Sequence, residues 1–240
     1  MTKSLEKSLW LSTVPLVSID TSGNPTGIAS GCFIEYSGKR ILLSVQHATG
    51  NGKVWAIQQQ YVPSKGAELY RLGGINFLIR GNIHTSKIVN VDFSYVEIPE
   101  STFAKRQKIN PHTSEITEEE FISVLKPSLE DEPNFESTYG FSGLVQPLLE
   151  LHGKNAYLFT EPRIYTGLQY LRTDGDFHYF NLPFPHPGHE HFQGCSGAPI
   201  ISEKGEVVAL VCGGDIPTNE IWGISLKAYK LPIDILVQGI

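Results

Sequence analysis

Residues 27–50 read GIASGCFIEYSGKRILLSVQHATG, and two short apolar runs inside this segment set the fold class. Residues 31–36 (GCFIEY) and 40–44 (RILLS) flank Ser37-Gly38-Lys39. Runs of five or six residues rich in β-branched and aromatic side chains, broken by a Ser/Gly turn, predict a β-hairpin. The second run continues through Val45 and Gln46 to His47.

The same pattern repeats outward. Further strands are expected over 53–60, 75–80 and 93–98, and, beyond residue 133, over 136–141, 157–165, 177–182, 198–202, 206–212 and 221–226. The 23 Gly and 15 Pro supply the turns between them. Many short strands with few helical stretches indicate an all-β barrel or sandwich. Two segments break the pattern. Residues 113–125 (TSEITEEEFISVL) carry Thr117 with Glu120 three positions on, the spacing of a helix-capping box. Residues 227–238 predict a short C-terminal helix with Pro232 near its first turn. The expected organisation is therefore 1–105, a partly helical connector over 106–134, and 135–240.

Composition narrows the function. A 40% hydrophobic, 18% charged chain of 240 residues has the make-up of an ordinary globular protein. Its 19 Lys and Arg against 25 Asp and Glu leave a net charge of −6, which argues against a nucleic-acid partner. No stretch approaches the roughly 18 apolar residues of a membrane span. Residues 1–20 mix Lys3, Glu6 and Lys7 with Trp10, Leu11 and Val14, and do not read as a signal or transit peptide. Cys32, Cys195 and Cys212 are an odd, sparse set rather than a disulfide framework, so a cytoplasmic location is expected.

The chemistry centres on Gly194-Cys195-Ser196-Gly197-Ala198-Pro199. A serine becomes a useful nucleophile only with a base to take its proton and donors to hold an oxyanion. Glycines on both sides of Ser196 let successive backbone N–H groups converge. By itself the hexapeptide reads equally well as a turn entering a strand. His47 at a strand end and Asp92 at the head of DFSYVEI (92–98) are, taken singly, ordinary structural residues. Their order His, Asp, Ser is the order that one triad layout requires.

Together these motifs resemble the trypsin-like (chymotrypsin-fold) serine peptidases. Residues 27–50 are similar to that family's first-barrel hairpin and its His segment, DFSYVEI to its Asp segment, and GCSGAP to its Gly-Asp-Ser-Gly-Gly-Pro. The separations of 45 and 104 residues between His47, Asp92 and Ser196 are family-like. The resemblance implies two packed antiparallel Greek-key β-barrels, with His47 and Asp92 on the first and Ser196 on the second. It implies Ser196 as nucleophile, His47 as base, Asp92 as its orienting partner, and the N–H groups of Gly194 and Ser196 as the oxyanion hole. It calls for no metal and no organic cofactor. The stretch 205–214 (GEVVALVCGG) resembles the strand lining the specificity pocket, and 222–226 (WGISL) the next one, so Cys212, Gly213, Gly214, Gly223 and Ser225 are expected as pocket walls. Six positions before Ser196 stands Glu190, where a carboxylate favours a basic P1 side chain; His189 or His191 would suit an acidic or amide one.

Three departures qualify the resemblance. Cys195 replaces the aspartate that pairs with a freshly cut N-terminus, and no Ile-Val-Gly-Gly cleavage sequence is present, so maturation by an N-terminal ion pair is not expected. Ala198 replaces a glycine. His186-Pro187-Gly188-His189-Glu190-His191 holds zinc-ligand residue types, but its spacing and its Pro and Gly read as a polar loop at a pocket rim. A polypeptide substrate follows from the reading. A regulatory protein partner is expected because a peptidase inside a cell must be restrained, though no residue shows it. The alternative on the same fold is an inactive interaction module.

Overall fold

The computed structural model describes residues 2–50, 52–63, 65–82, 87–110, 113, 115–152 and 155–239. It is all-β, as the sequence predicts, with a short C-terminal helix. The first half holds β1 (Val14–Ile19), β2 (Pro25–Tyr36), β3 (Lys39–Ser44), β4 (Val54–Val62), β5 (Gly66–Arg71), β6 (Asn76–Asn82) and β7 (Lys87–Glu97). They hydrogen-bond in the order β5-β4-β1-β2-β3-β7-β6. The edges of this path, β5 and β6, are joined by the residues between Arg71 and Asn76. Five Cα steps span at most about 18 Å, whereas seven strands laid flat would separate their edges by about 29 Å. The sheet must therefore roll around its own core.

The β2–β3 hairpin turns through Ser37 and Gly38, with φ of 48° and 80°, and pairs Tyr36 with Lys39. Positive φ at both central residues is the turn whose twist matches antiparallel strands. These strands are apolar in succession because both faces are covered. Phe33 and Leu42 enter the first half's own core with Val14, Leu16, Trp55 and Ile57. Cys32, Ile34, Ile41 and Leu43 face the other way, into a core shared with Leu210, Ile224 and Ile233 of the second half.

The second half is a closed barrel of β11 (Thr138–His152), β12 (Asn155–Asp174), β13 (Phe177–Asn181), β14 (Pro199–Ser202), β15 (Val207–Asp215) and β16 (Glu220–Ser225). Its interior is built on Tyr139, Phe141, Leu168, Phe180, Cys195, Ile200 and Val211. Each half is strapped by a helix from the other end of the chain. Helix α1 (Thr2–Trp10) precedes the first half, yet Leu9 is fully buried and its carbonyl accepts from Ser142 Oγ of β11 at 2.6 Å. Helix α3 (Lys230–Gln238) follows the second half, yet Tyr36 of β2 donates to its Asp234 at 2.8 Å. Pro232 lies in the first turn of α3, where the missing N–H costs nothing.

The connector corrects the sequence reading. Residues 113–125 hold no helix among the described residues; β8 (Lys105–Ile109) and β9 (Ile116–Phe121) form a hairpin, and β10 (Val124–Leu125) pairs parallel to β2. The acidic run that suggested a helix start is one side of a cross-strand charge ladder. Glu119 meets Lys105 at 2.6 Å, Glu118 pairs with Lys108, and Glu120 meets Lys7 of α1 at 2.8 Å. Thr117 caps nothing; its hydroxyl donates to Lys108 O at 3.1 Å. Within β8, buried Arg106 donates to the carbonyls of Trp10 and Thr13 at 3.2 and 2.8 Å, and burial holds its guanidinium down at about 10.

Two expectations follow. Strand β1 lies between β2 and β4, so deleting residues 1–20 removes an interior strand as well as α1. The truncated chain should lack a cooperative thermal transition by circular dichroism; a wild-type transition with raised activity would show that removal of this segment is a maturation step. Separately, His178 on β13 is 3% exposed, and burial holds its imidazole down at about 4 against 6.5 ordinarily. The unfolded chain therefore binds the extra proton first, and stability falls as pH drops from about 6.5 to about 4, by about 2–3 kcal/mol. Thermal melts from pH 7 to 4.5 should show His178→Gln losing about 5–10 °C less than wild type over that interval.

Candidate functional site

The site is assembled from both halves. Strand β3 runs through Val45 into a single helical turn, α2 (Gln46–Thr49), which carries His47. Thr49 donates to Val45 O at 2.9 Å, and its hydroxyl also meets Ser94 Oγ of β7 at 2.9 Å. Along β7, Phe93 packs into the shared core, so Asp92 and Ser94 project together from the opposite face towards α2.

The Asp92 carboxylate takes three hydrogen bonds from His47. The backbone N–H reaches Oδ1 at 2.9 Å, and ring Nδ1 reaches Oδ1 and Oδ2 at 2.9 and 2.8 Å. An ionised carboxylate only accepts, so Nδ1 carries the proton and the neutral ring leaves Nε2 as an acceptor. Nε2 lies 2.9 Å from Ser196 Oγ. Burial works to raise the Asp92 carboxyl, but the ring and backbone bonds from His47, the charge His47 acquires on protonation, and the thiol of Cys212 together hold it below the usual carboxylate range.

Ser196 sits in a turn held at each step. Cys195 N–H donates to Phe192 O at 2.9 Å, Ala198 N–H to Cys195 O at 2.8 Å, and Gly197 N–H to Val211 O at 2.8 Å. Gly194 and Gly197 have φ of 100° and 90°, and a Cβ at either would collide with backbone oxygen, Leu144 O or Ser30 O. Only glycine serves at these two places. Among the described residues no acceptor takes the N–H of Gly194 or of Ser196. Ala198 is fully buried in the barrel core, which accommodates the methyl group that replaces a glycine hydrogen.

A cavity of about 380 Å³ opens beside Ser196, and its lining includes Glu190, Cys212, Gly213 and Gly214. His189, Phe192, Gln193, Val211 and Ile221 complete it. Gly223 and Ser225 are not in this lining, contrary to the sequence expectation. A Cβ at Gly223 would meet Leu210 O at 2.7 Å, and Ser225 accepts Ala228 N–H at 3.3 Å at the start of the C-terminal turn. Nor are Gly213 and Gly214 bare walls: a Cβ at Gly213 would lie 2.6 Å from the Trp222 ring, and one at Gly214 2.7 Å from His186 Nε2. Glycine here makes room for the protein's own aromatic and imidazole groups.

The histidine-rich loop forms a 3-10 turn over His189–Phe192, with Glu190 exposed on it. His186 and His189 rings lie 5.5 Å apart, and His191 turns towards Gln146 at 3.5 Å. Among the described residues no group of three His, Cys, Asp or Glu side chains is placed to hold a metal ion. The three cysteines are free thiols. Burial pushes Cys195 up to about 12, and it pushes Cys212 up with the help of the adjacent Asp92 charge, so both stay protonated. Phe192 and Gln193 were not singled out from the sequence; their closeness to Ser196 in the chain is the signal that could have found them. Nothing in the sequence signalled Ile221, which reaches the cavity through its pairing with Gly214 across β15 and β16.

No protein-family model matches the chain, and no curated protein sequence matches it. Solved structures do match. The crystal structure of the serine endoprotease from Yersinia pestis superposes with a TM-score of 0.59 at 11% identity, covering 99% of this chain and 67% of that one. The chain therefore shares a serine-protease-like fold. Among the described residues no helix is long and apolar enough to cross a membrane.

Proposed function

We propose that the chain is a serine endopeptidase of the trypsin-like kind, acting on polypeptides through His47, Asp92 and Ser196. The observation that carries the reading is the unbroken succession from the Asp92 carboxylate through the His47 ring to Ser196 Oγ, at 2.8 and 2.9 Å. Ser196 Oγ attacks the scissile carbonyl carbon while its proton passes to His47 Nε2. The carbonyl oxygen becomes an oxyanion facing the N–H groups of Gly194 and Ser196. His47 then returns the proton to the leaving amine, and the C–N bond breaks to give an acyl-enzyme. Water repeats the sequence in the second half-reaction and frees Ser196. Asp92 stays ionised throughout, holding the imidazole in one tautomer and stabilising its charged form.

The cavity beside Ser196 is the proposed P1 pocket. Glu190 is its acidic member and supports a basic P1 side chain by charge pairing. That carboxylate is exposed on its turn, so solvent weakens the attraction. A peptide library profiled with wild type and Glu190→Gln should show kcat/KM for Arg and Lys at P1 lowered by about 2–5-fold, with apolar P1 unaffected. Unchanged preferences would remove Glu190 from the pocket's specificity.

The decisive test of the reaction is labelling with a fluorophosphonate, which bonds covalently to an activated serine. Wild type should label and Ser196→Ala should not. Peptidase kcat/KM should fall by about 10⁴ or more in Ser196→Ala and His47→Ala, and by about 10⁴ in Asp92→Asn. A folded wild type that neither labels nor cleaves would leave the fold as an interaction module; turnover retained in Ser196→Ala would place the nucleophile elsewhere.

A further inference from the structure

Ser30 belongs to β2 in the first half and is fully buried, yet it holds the turn that carries Ser196 in the second half. Its N–H donates to Ser196 O at 2.9 Å, and its Oγ–H donates to Gly194 O at 2.7 Å. Its own carbonyl accepts from Ser44 Oγ at 2.7 Å. Ser44 closes β3, the strand that leads into the turn carrying His47. A second path of hydrogen bonds, Ser44 to Ser30 to the 194–196 turn, thus runs beside the direct bond from His47 to Ser196.

The geometry matters because glycines flank the turn. At φ of 100° and 90°, Gly194 and Gly197 have no Cβ to restrict their neighbouring peptide groups. The two N–H groups aimed at an oxyanion belong to the peptide groups joining 193 to 194 and 195 to 196. The carbonyls that Ser30 holds belong to the peptide groups joining 194 to 195 and 196 to 197. The Ser196 N–H is therefore bracketed by two anchored planes, and each plane is rigid. The first plane is pinned at both ends, because its N–H, that of Cys195, donates to Phe192 O at 2.9 Å.

We propose that Ser30 is a positioning residue for the oxyanion site: through its hydroxyl it fixes the Gly194 carbonyl and so aims the donor pair. It does this from the half that carries His47, which holds donors and base in one frame. The proposal rests on Ser196 being the nucleophile.

The test uses the full-length protein with Ser30→Ala, Ser30→Thr and Ser30→Cys. Kinetics on a peptide cleaved by wild type are paired with inhibition by a peptide boronate, whose tetrahedral adduct places a negative oxygen where the oxyanion forms. Loss of a whole oxyanion donor costs about 10²–10³ in rate; a donor left in place but poorly aimed should cost less. Ser30→Ala should lose about 10–100-fold in kcat with KM within about threefold, and boronate affinity should fall by a similar factor. A hydroxyl at position 30 should rescue, so Ser30→Thr is expected to recover most of kcat, while the thiol of Ser30→Cys, a weak donor, recovers less. Where Ser30→Ala fails to fold, the Thr and Cys variants carry the comparison, because they differ in donor strength. Equal kcat in those two, or a folded Ser30→Ala with kcat within twofold of wild type, would overturn the positioning role. A parallel rise in KM with no selective loss of boronate binding would overturn it too. A wild type inert to fluorophosphonate would instead overturn the nucleophile on which the proposal stands.

Discussion

A hydrogen bond between His47 Nε2 and Ser196 Oγ joins residues 149 positions apart, and each comes from a different half of the molecule. Such a bond weakens steeply beyond about 3.2 Å, so two sheets must be docked to a tolerance of a few tenths of an ångström. Polar contacts alone would not provide that. The shared apolar core does, because close-packed interiors resist displacement: Ile34, Ile41, Leu43 and Val45 from one side meet Ile201, Val207, Leu210 and Ile224 from the other. Phe93, next in sequence to Asp92, stacks on Tyr229 with ring centres 5.0 Å apart. Tyr229 donates in turn to Asp176, which also pairs with Arg80 of the first half, both at 2.7 Å. The carboxylate that orients His47 is thus positioned by the second half as well as by its own strand.

The two helical straps act on the same interface. The N-terminal helix is stitched to the second half through Ser142, and the C-terminal helix to the first through Tyr36. Separating the halves would require breaking both, and Arg106 ties the carbonyls of Trp10 and Thr13 to the connector hairpin. A buried guanidinium is tolerated where its N–H groups find acceptors, and the two carbonyls supply them. Here they lie where the chain leaves α1 and enters β1.

What was legible in the sequence was what local chemistry dictates. The β2–β3 hairpin could be read because a Ser-Gly pair suits a turn with two positive φ values. The strands on either side could be read because apolar residues recur at short spacing, and the Pro-bearing C-terminal helix because proline tolerates a first helical turn. The turn carrying Ser196 stood out because glycines bracket a serine. Residues 113–125 misled because Thr-x-x-Glu and a run of acids favour a helix start when no partner is in view; the partner is a lysine-bearing strand, and pairing with it outweighs local propensity. The cavity was legible in part: Glu190, Cys212, Gly213 and Gly214 line it, whereas Gly223 and Ser225 do not. Ile221 and Gly223 lie two apart on β16 and so share a face. What separates them is the cross-strand neighbourhood, Gly214 of the cavity wall for Ile221 and the packed Leu210, Ile200 and Ala209 for Gly223, which local sequence does not encode.

The glycines on either side of Ser196 show how far this dependence reaches. Read locally, Gly194 and Gly197 are needed because a turn bends. In the fold the stronger reason is external. The position a Cβ would take at Gly194 is filled by Leu144 O and Ile28, and that at Gly197 by Ser30 O and Ser44. Ile28, Ser30 and Ser44 belong to β2 and β3, so the turn is clasped by the opposite half as well as by its own barrel. Cys195, between them, fits the same account: it is fully buried against Gly143 and carries no charge that would need an ionic partner. A turn seated this way is shaped by packing and hydrogen bonds from both sides, and its geometry arises when the halves dock.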